Sequence, residues 1–233
     1  MPTPTTFLLV DAMYFHAAMQ NLAYAVGHQQ EIDSVEAKLR QLEYEIDEVE
    51  VEDEYGNTDA DKYKHFERLA IQIEDAEYDV GVAYGPYLQA LAITHILCAA
   101  SLESHINIRA KELLDGKAQH HFERISHEAK WLFLPHLIGL SGFDPGQQPY
   151  QGFSKLITIR NKLIHYQFRK EKWRIRDSVV PTFIDELGLS ETAATASIET
   201  VRGMVRKLAE QLSEEEPFWI RVNNIGYFGF DIE

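Results

Sequence analysis

An arginine and a histidine, Arg160 and His165, are the residues of this chain whose types and spacing best suit catalysis, and they enclose the run RNKLIH at positions 160–165. Cleavage of RNA by attack of a 2′-OH on the adjacent phosphate needs a group that moves protons near neutral pH. It also needs a cation that stabilises charge on the phosphoryl oxygens. The run therefore favours metal-independent chemistry, with His165 as general acid or base and Arg160 as the phosphate clamp.

Helix geometry constrains how these two side chains work together. Positions 160 and 165 of an α-helix lie about 140° apart in azimuth and roughly 7.5 Å apart along the axis, so they do not share a face. Either the long Arg160 side chain bridges that gap or the helix ends near His165. Asn161 and His165 form an i, i+4 pair, and Asn161 is expected to orient the imidazole or bind a phosphate oxygen.

The motif lies in a basic segment, because residues 155–176 hold eight Lys or Arg and a single acid, Glu171. Such a segment attracts an RNA backbone, and interleaved aromatic side chains stack on unpaired bases. The residues expected to contact RNA are Lys155, Lys162, Tyr166, Arg169, Lys170, Lys172 and Arg174. The alternatives are a solvated helix face with its loop, or a surface that docks onto the acidic segment at residues 31–80.

Helical periodicity runs through nearly the whole chain and predicts an all-α fold. Apolar residues recur from Ile32 to Val49 at spacings of 3, 4, 3, 4 and 3, which is a heptad pattern. Turn-forming residues at 54–59 interrupt it, and the pattern resumes at Tyr63, Phe66, Ala70 and Ile73. Residues 31–80 are therefore predicted to form an antiparallel helical hairpin. They contain 18 Asp or Glu against 5 Lys or Arg, so they carry −13 of the net charge of −15.

Glycine and proline divide the remainder of the chain. Gly85-Pro86 predicts a helix boundary, because proline fits the first turn of a helix but not its interior. Helices are expected over residues 86–114, over 120–140, from about 152 through the motif, between 181 and 188, and from 190 to 216. The sequence is thus divided into an N-terminal helix packing on the core (1–30), the acidic hairpin (31–80), a helical core (81–216) and an aromatic C-terminal extension (217–233). The extension has the strand-like signals of the chain and is expected to fold back on the bundle.

The motif, its late position and the segment ASLESHIN at residues 100–107 resemble the HEPN superfamily. Its ribonuclease members carry Arg-x(4–6)-His on a late helix, and many members have a Leu-Glu-x-x-Ile-Asn run on an earlier core helix. The likeness covers roughly residues 86–212. It implies an up-and-down helical bundle and a composite site built by two protomers. Glu103 is expected to support the site by pairing with an arginine of the motif helix, and Asn107 by hydrogen bonding in the core.

The resulting hypothesis is a metal-independent endoribonuclease of HEPN type that needs no cofactor and acts as a homodimer on RNA. The resemblance also implies a toxin or defence effector restrained by an inhibitory protein partner. No metal site is predicted, since the histidines and glutamates at 120–128 match no metal-ligand signature. The alternative is a non-catalytic HEPN-like binding or scaffold protein that acts through the acidic hairpin. In that case Arg160 pairs with an acid in helix packing and His165 bonds a backbone carbonyl.

Cysteine content and hydropathy indicate the compartment. Cys98 is the single cysteine, so no internal disulfide forms and a reducing environment is expected. The apolar stretch at residues 7–26 is interrupted by Asp11 and His16, and no Lys or Arg precedes it. It therefore predicts neither a signal peptide nor a membrane span, and the expected location is cytoplasmic.

Overall fold

Two long antiparallel helices, α1 (Val10–Asp47) and α2 (Ala60–Leu113), extend through the hairpin and the core. The computed structural model describes residues 5–49, 59–167, 169–171, 181–222 and 227–231. The other elements are β1 (Thr5–Leu8), α3 (Gly116–Phe122), α4 (His127–Leu137), α5 (Tyr150–Ile164), α6 (Thr182–Glu186), α7 (Glu191–Leu212), a 3₁₀ turn (Phe218–Ile220) and β2 (Phe228–Asp231). The predicted all-α helical bundle is confirmed.

The boundary predicted at Gly85-Pro86 is wrong, because α2 continues through Pro86. An interior proline removes one i→i−4 hydrogen bond. Packing compensates here, since Ala83, Tyr87 and Ala90, on both sides of the proline, are buried in one cluster with residues of α1. The first arm of the hairpin is likewise continuous with the helix that begins at Val10.

The two arms of the hairpin differ in how well their pattern predicts the buried seam. In α1, Ile32 and Leu39 are buried as expected. In α2 the predicted seam is only partly right, because Tyr63 and Phe66 are exposed, whereas Ile73 packs against the buried seam residues. The buried seam of α2 instead runs through Leu69, Ala76, Val80 and Ala83. The alanines at the seam are small and let the two helices approach closely. The periodically spaced aromatic residues Tyr63 and Phe66 lie on the solvent side.

Polar contacts across the hairpin fix its register. Lys38 Nζ lies 3.0 Å from Asp79 Oδ2, and the Tyr84 hydroxyl donates to Glu36 Oε1 at 2.6 Å. Burial, together with this hydrogen bond to a carboxylate, raises the pKa of Tyr84. The hydroxyl therefore stays protonated and donates to Glu36 at all physiological pH values.

The main core lies where α4, α5 and α7 pack on α1 and α2. Its largest fully buried side chains are Phe15, Leu102, Ile106, Trp131, Leu134, Phe153, Leu156, Met204 and Leu208. The helix predicted from 190 is present as α7, whose apolar residues Ile198, Val201, Val205 and Leu208 recur at helical spacing and are buried. Helix α7 begins at the Ser190 cap, as the sequence predicts, but ends at Leu212, because Ser213 adopts a left-handed conformation with φ 56°.

One further predicted helix differs from the structure, and the C-terminal extension gains a partner strand. The region at 120–140 is divided between α3 and α4, and Ser126 caps α4 by accepting from the Ala129 amide at 3.2 Å. At the C-terminal end, β2 pairs antiparallel with β1, so the aromatic extension folds back on the bundle as expected. The sequence did not predict its partner strand.

A stretch of α2 is long and apolar enough to cross a membrane by length and composition alone. Half of that stretch is buried inside the protein. A buried core helix passes the same test of length and composition, so this single stretch is weak evidence for a membrane span.

Candidate functional site

Helix α5 presents the motif from a well-anchored position. Phe153, Leu156 and Ile157 bury one face of the helix in the core. The helix ends at Ile164, and His165 is its C-cap residue with φ −107° and ψ 24°. Only the backbone N–H of His165 remains bonded to the helix, donating to Asn161 O at 3.0 Å. The imidazole is thus held at an exposed helix end, which is one of the two arrangements expected from the spacing.

Arg160 lies on a different side of α5 from His165. It is half-buried, and its Nη1 donates to Asn161 Oδ1 at 3.0 Å. The Asn161 side chain therefore orients the arginine rather than the imidazole. Arg160 is not among the described residues that line the cleft around His165. Within one chain the side chains of Arg160 and His165 therefore do not converge on one point.

The cleft around His165 has a volume of about 330 Å³. Its described lining residues are Lys162, His165, Tyr166, Gln167, Arg169, Glu186 and Leu187. Three of the predicted RNA-contacting residues, Lys162, Tyr166 and Arg169, therefore surround the imidazole. The Tyr166 ring also packs edge-on against Phe183, with centroids 6.5 Å apart.

Arg169 is engaged by two carboxylates. Its Nη2 donates to Glu186 Oε2 at 3.0 Å, and its Nε lies 2.6 Å from Glu171 Oε1. The hydrogen bond that Arg169 donates to Glu186 raises the pKa of Arg169. A phosphate must therefore displace a carboxylate before it pairs with this guanidinium, a cost that the basic sequence pattern did not indicate.

A second groove of about 460 Å³ adjoins this cleft and shares Lys162 with it. Lys155 and Thr158 of α5 line it, opposite Ser190 and Thr192 at the start of α7. Asp185 and Glu186 form part of its wall, so the groove is not uniformly basic. Lys170 is exposed outside both clefts, and Lys172 and Arg174 lie outside the described residues.

The two supporting residues are placed differently from expectation. Glu103 pairs with Lys130 of α4, whose Nζ lies 3.9 Å from Glu103 Oε1, and not with an arginine of the motif helix. Asn107 was expected to form a core hydrogen bond, but its Oδ1 is buried without a partner among the described residues.

Two residues near Arg160 were missed by the sequence reasoning, Lys130 and His127. Lys130 is only 3% exposed, an unusual state for a lysine. Burial, together with the positive charges of Lys130 and Arg160, lowers the pKa of His127 to about 4. A signal for Lys130 was present, because it lies one helical turn before the buried Leu134 and next to the buried Trp131.

The His127 environment predicts a pH-dependent stability. The unfolded chain binds a proton below the ordinary value of 6.5, whereas the folded protein does not until about pH 4. Stability from this group is therefore present above pH 6.5 and is lost as the pH falls, by up to about 3 kcal/mol at pH 4. His127→Asn should remove this part of the pH dependence of the free energy of unfolding. Urea unfolding at a series of pH values from 7 to 4 measures it. Equal slopes for the two proteins would contradict the prediction.

Within the described ranges, no group of three or more His, Cys, Asp or Glu side chains is arranged to hold a metal ion. No family model, curated protein or solved structure matches the chain at a significant level. The arguments for function therefore depend on the motif and its geometry.

Proposed function

We propose that the protein is a metal-independent endoribonuclease of HEPN type, active as a homodimer. The observation that carries the proposal is the position of His165. Its imidazole is exposed at the free end of α5, in a cleft lined by Lys162 and Tyr166. A histidine used only for packing is normally enclosed and satisfied by neighbouring groups, and His165 is not enclosed.

The proposed reaction is an internal displacement at phosphorus. The 2′-oxygen loses its proton and bonds to the adjacent phosphorus, the bond from phosphorus to the 5′-oxygen breaks, and the leaving oxygen takes a proton. The products are a 2′,3′-cyclic phosphate and a 5′-OH end. His165 transfers a proton in this sequence, and Arg160 stabilises the negative charge on the phosphoryl oxygens.

A second protomer resolves the separation of Arg160 from His165. Because the two side chains lie on different sides of α5, a dimer would bring the arginine of one copy to the histidine of the other. Asn161 then acts as a positioning residue, since its Oδ1 already accepts from Arg160 at 3.0 Å.

The RNA backbone would follow the basic surface beside His165. Lys162 occupies both clefts and Lys155 lines the second, so these two lysines are the best placed to contact phosphates. Tyr166 is exposed and offers a stacking surface. Arg169, Lys170, Lys172 and Arg174 extend the proposed track along the chain.

The cellular setting is proposed from the resemblance and from composition. A cytoplasmic location suits the single cysteine, Cys98, which is buried. A toxin or defence role, with an inhibitory protein partner, follows from the likeness to HEPN ribonucleases alone.

Cleavage of RNA in the presence of EDTA tests the proposal. The purified protein should cut a mixed single-stranded and tRNA substrate, and the products should carry 2′,3′-cyclic phosphate ends. The matched control is the Arg160→Ala/His165→Ala double variant purified in the same way, which detects a contaminating nuclease. Products with 3′-OH ends, equal cleavage by the double variant, or no cleavage by either protein would overturn the proposal.

A further inference from the structure

The face of α2 that points away from α1 carries an exposed apolar stripe. Exposed members are Ile71 (61%), Tyr78 (74%), Val82 (54%) and Ile96 (37%). With Gln89 and Ile93 they recur at helical spacing within about 40° of one azimuth, opposite the buried seam. We name this set of six residues the outer stripe. It spans about 37 Å, the length of a helix of about 25 residues.

A partner molecule has room to approach the middle of the outer stripe closely. A shallow groove of about 270 Å³ lies beside it, between α1 and α2, and is lined by Asn21 and Tyr24 of α1 and by Pro86, Gln89, Ala90 and Ile93 of α2. Pro86 has no N–H, so it cannot donate the usual helical hydrogen bond to the carbonyl of Val82. At Gly85, no atom lies within 4 Å of the position that a Cβ would occupy.

The negative charge of the hairpin determines which kind of partner can cover the outer stripe. The described hairpin residues, 31–49 and 59–80, hold 14 Asp or Glu against 5 Lys or Arg. Glu67, Glu74 and Asp75 flank the end of the outer stripe that contains Ile71 and Tyr78, and no cation of the described chain lies within ion-pair distance of them. Unneutralised carboxylates repel nucleic acid and anionic lipid surfaces, and they also repel the acidic hairpin of a second copy, so a second copy could dock here only through its basic segment at 155–176.

We propose that the outer stripe is the docking surface for a basic amphipathic helix of a partner protein. Apolar side chains of that helix would cover Tyr78, Val82 and Ile93, and its Lys or Arg residues would pair with the flanking carboxylates. The proposal is independent of ribonuclease activity, because it concerns a different face of the molecule and makes no use of His165.

Binding of a synthetic probe tests this surface directly. The probe is a 25-residue peptide with Leu at i, i+3, i+4 and i+7 spacing and Lys or Arg elsewhere, and a scrambled peptide of the same composition is its control. Affinities are measured by titration calorimetry with the full chain and no RNA. We expect the amphipathic peptide to bind at least about tenfold more tightly than the scrambled one.

Variants separate the outer stripe from general acidity. The triple variant Ile71→Ser/Tyr78→Ser/Val82→Ser keeps every carboxylate, and it should weaken peptide binding by about tenfold or more. Gly85→Arg should do the same by obstruction, and it does not threaten the fold, since the site is open and arginine favours helices over glycine. Gly27→Arg, at an equally open position on the far side of α1, is the matched control and should leave the affinity within about twofold.

Several outcomes would overturn the proposal. These are no binding of the amphipathic peptide, equal binding of the scrambled peptide, an unchanged affinity in the triple variant, or equal losses for Gly27→Arg and Gly85→Arg. A dimer in sedimentation that Gly85→Arg dissociates would also overturn it, because a second copy would then occupy the outer stripe.

Discussion

His165→Ala is expected to lower the rate of RNA cleavage by about 10²- to 10⁴-fold, the usual contribution of a positioned general acid or base. The imidazole is exposed and its side chain contributes nothing to the core, so the free energy of unfolding should change by less than about 0.5 kcal/mol. Cleavage rates in EDTA and urea unfolding of the same preparation check both expectations. Wild-type activity in the variant would remove His165 from the mechanism.

Arg160 provides a companion test with a conservative variant. Loss of a transition-state clamp in Arg160→Ala should cost about 10²- to 10³-fold in kcat. Arg160→Lys keeps the charge but loses the planar fork that also bonds Asn161, so it should recover only part of that loss. Full recovery by lysine would show that charge alone is needed at this position.

Asp11→Ala is expected to lower the free energy of unfolding by about 1 to 3 kcal/mol, the cost of leaving a buried hydrogen-bonding group without its partner. Asp11 Oδ2 lies 2.9 Å from His105 Nδ1, and both side chains are only 6% exposed. The carboxylate also accepts from the Ala12 amide, and the Asp11 carbonyl accepts from the Ser101 hydroxyl at 2.8 Å. Loss of the carboxylate leaves the imidazole buried without this partner.

Urea unfolding followed by tryptophan fluorescence measures this effect, since the His105 ring lies against Trp131 and Trp219. Asp11→Asn, which keeps an acceptor oxygen, is the matched control and should cost less than the alanine variant. A double-mutant cycle with His105→Phe isolates the pair and should give a coupling energy of about 1 to 3 kcal/mol. Additive losses would contradict a direct Asp11–His105 interaction.

Periodicity and turn chemistry predicted the fold class, the motif helix and the closing helix because these elements depend on local sequence. The failure at Pro86 has a tertiary cause, since packing against α1 stabilises a helix that the local sequence would end. The seam of α2 was misplaced because exposed tyrosines and phenylalanines mimic a buried heptad. Strand β1 was missed since its four residues gain stability only from pairing with β2.

For the candidate site, the sequence supplied the motif and the geometry of a single helix. The 140° separation of Arg160 and His165 could be calculated, and so could a helix end near His165. The pairing of Glu103 with Lys130 could not, because it depends on how α4 crosses α2. The ion pairs of Arg169 with Glu171 and Glu186 could not be predicted either. They depend on how residues 169–171 fold toward Glu186.

The continuity of α2 also has a mechanical consequence. As one helix of 54 residues, about 81 Å long, it runs from the hairpin, along the outer stripe, to Glu103 in the core. A rigid rod of this length that pivots on its packing against α5 and α7 would act as a lever arm. A tilt of 5° would displace a point about 50 Å from that pivot by about 4 Å. Force applied to the hairpin would then reach α4 through the pairing of Glu103 with Lys130.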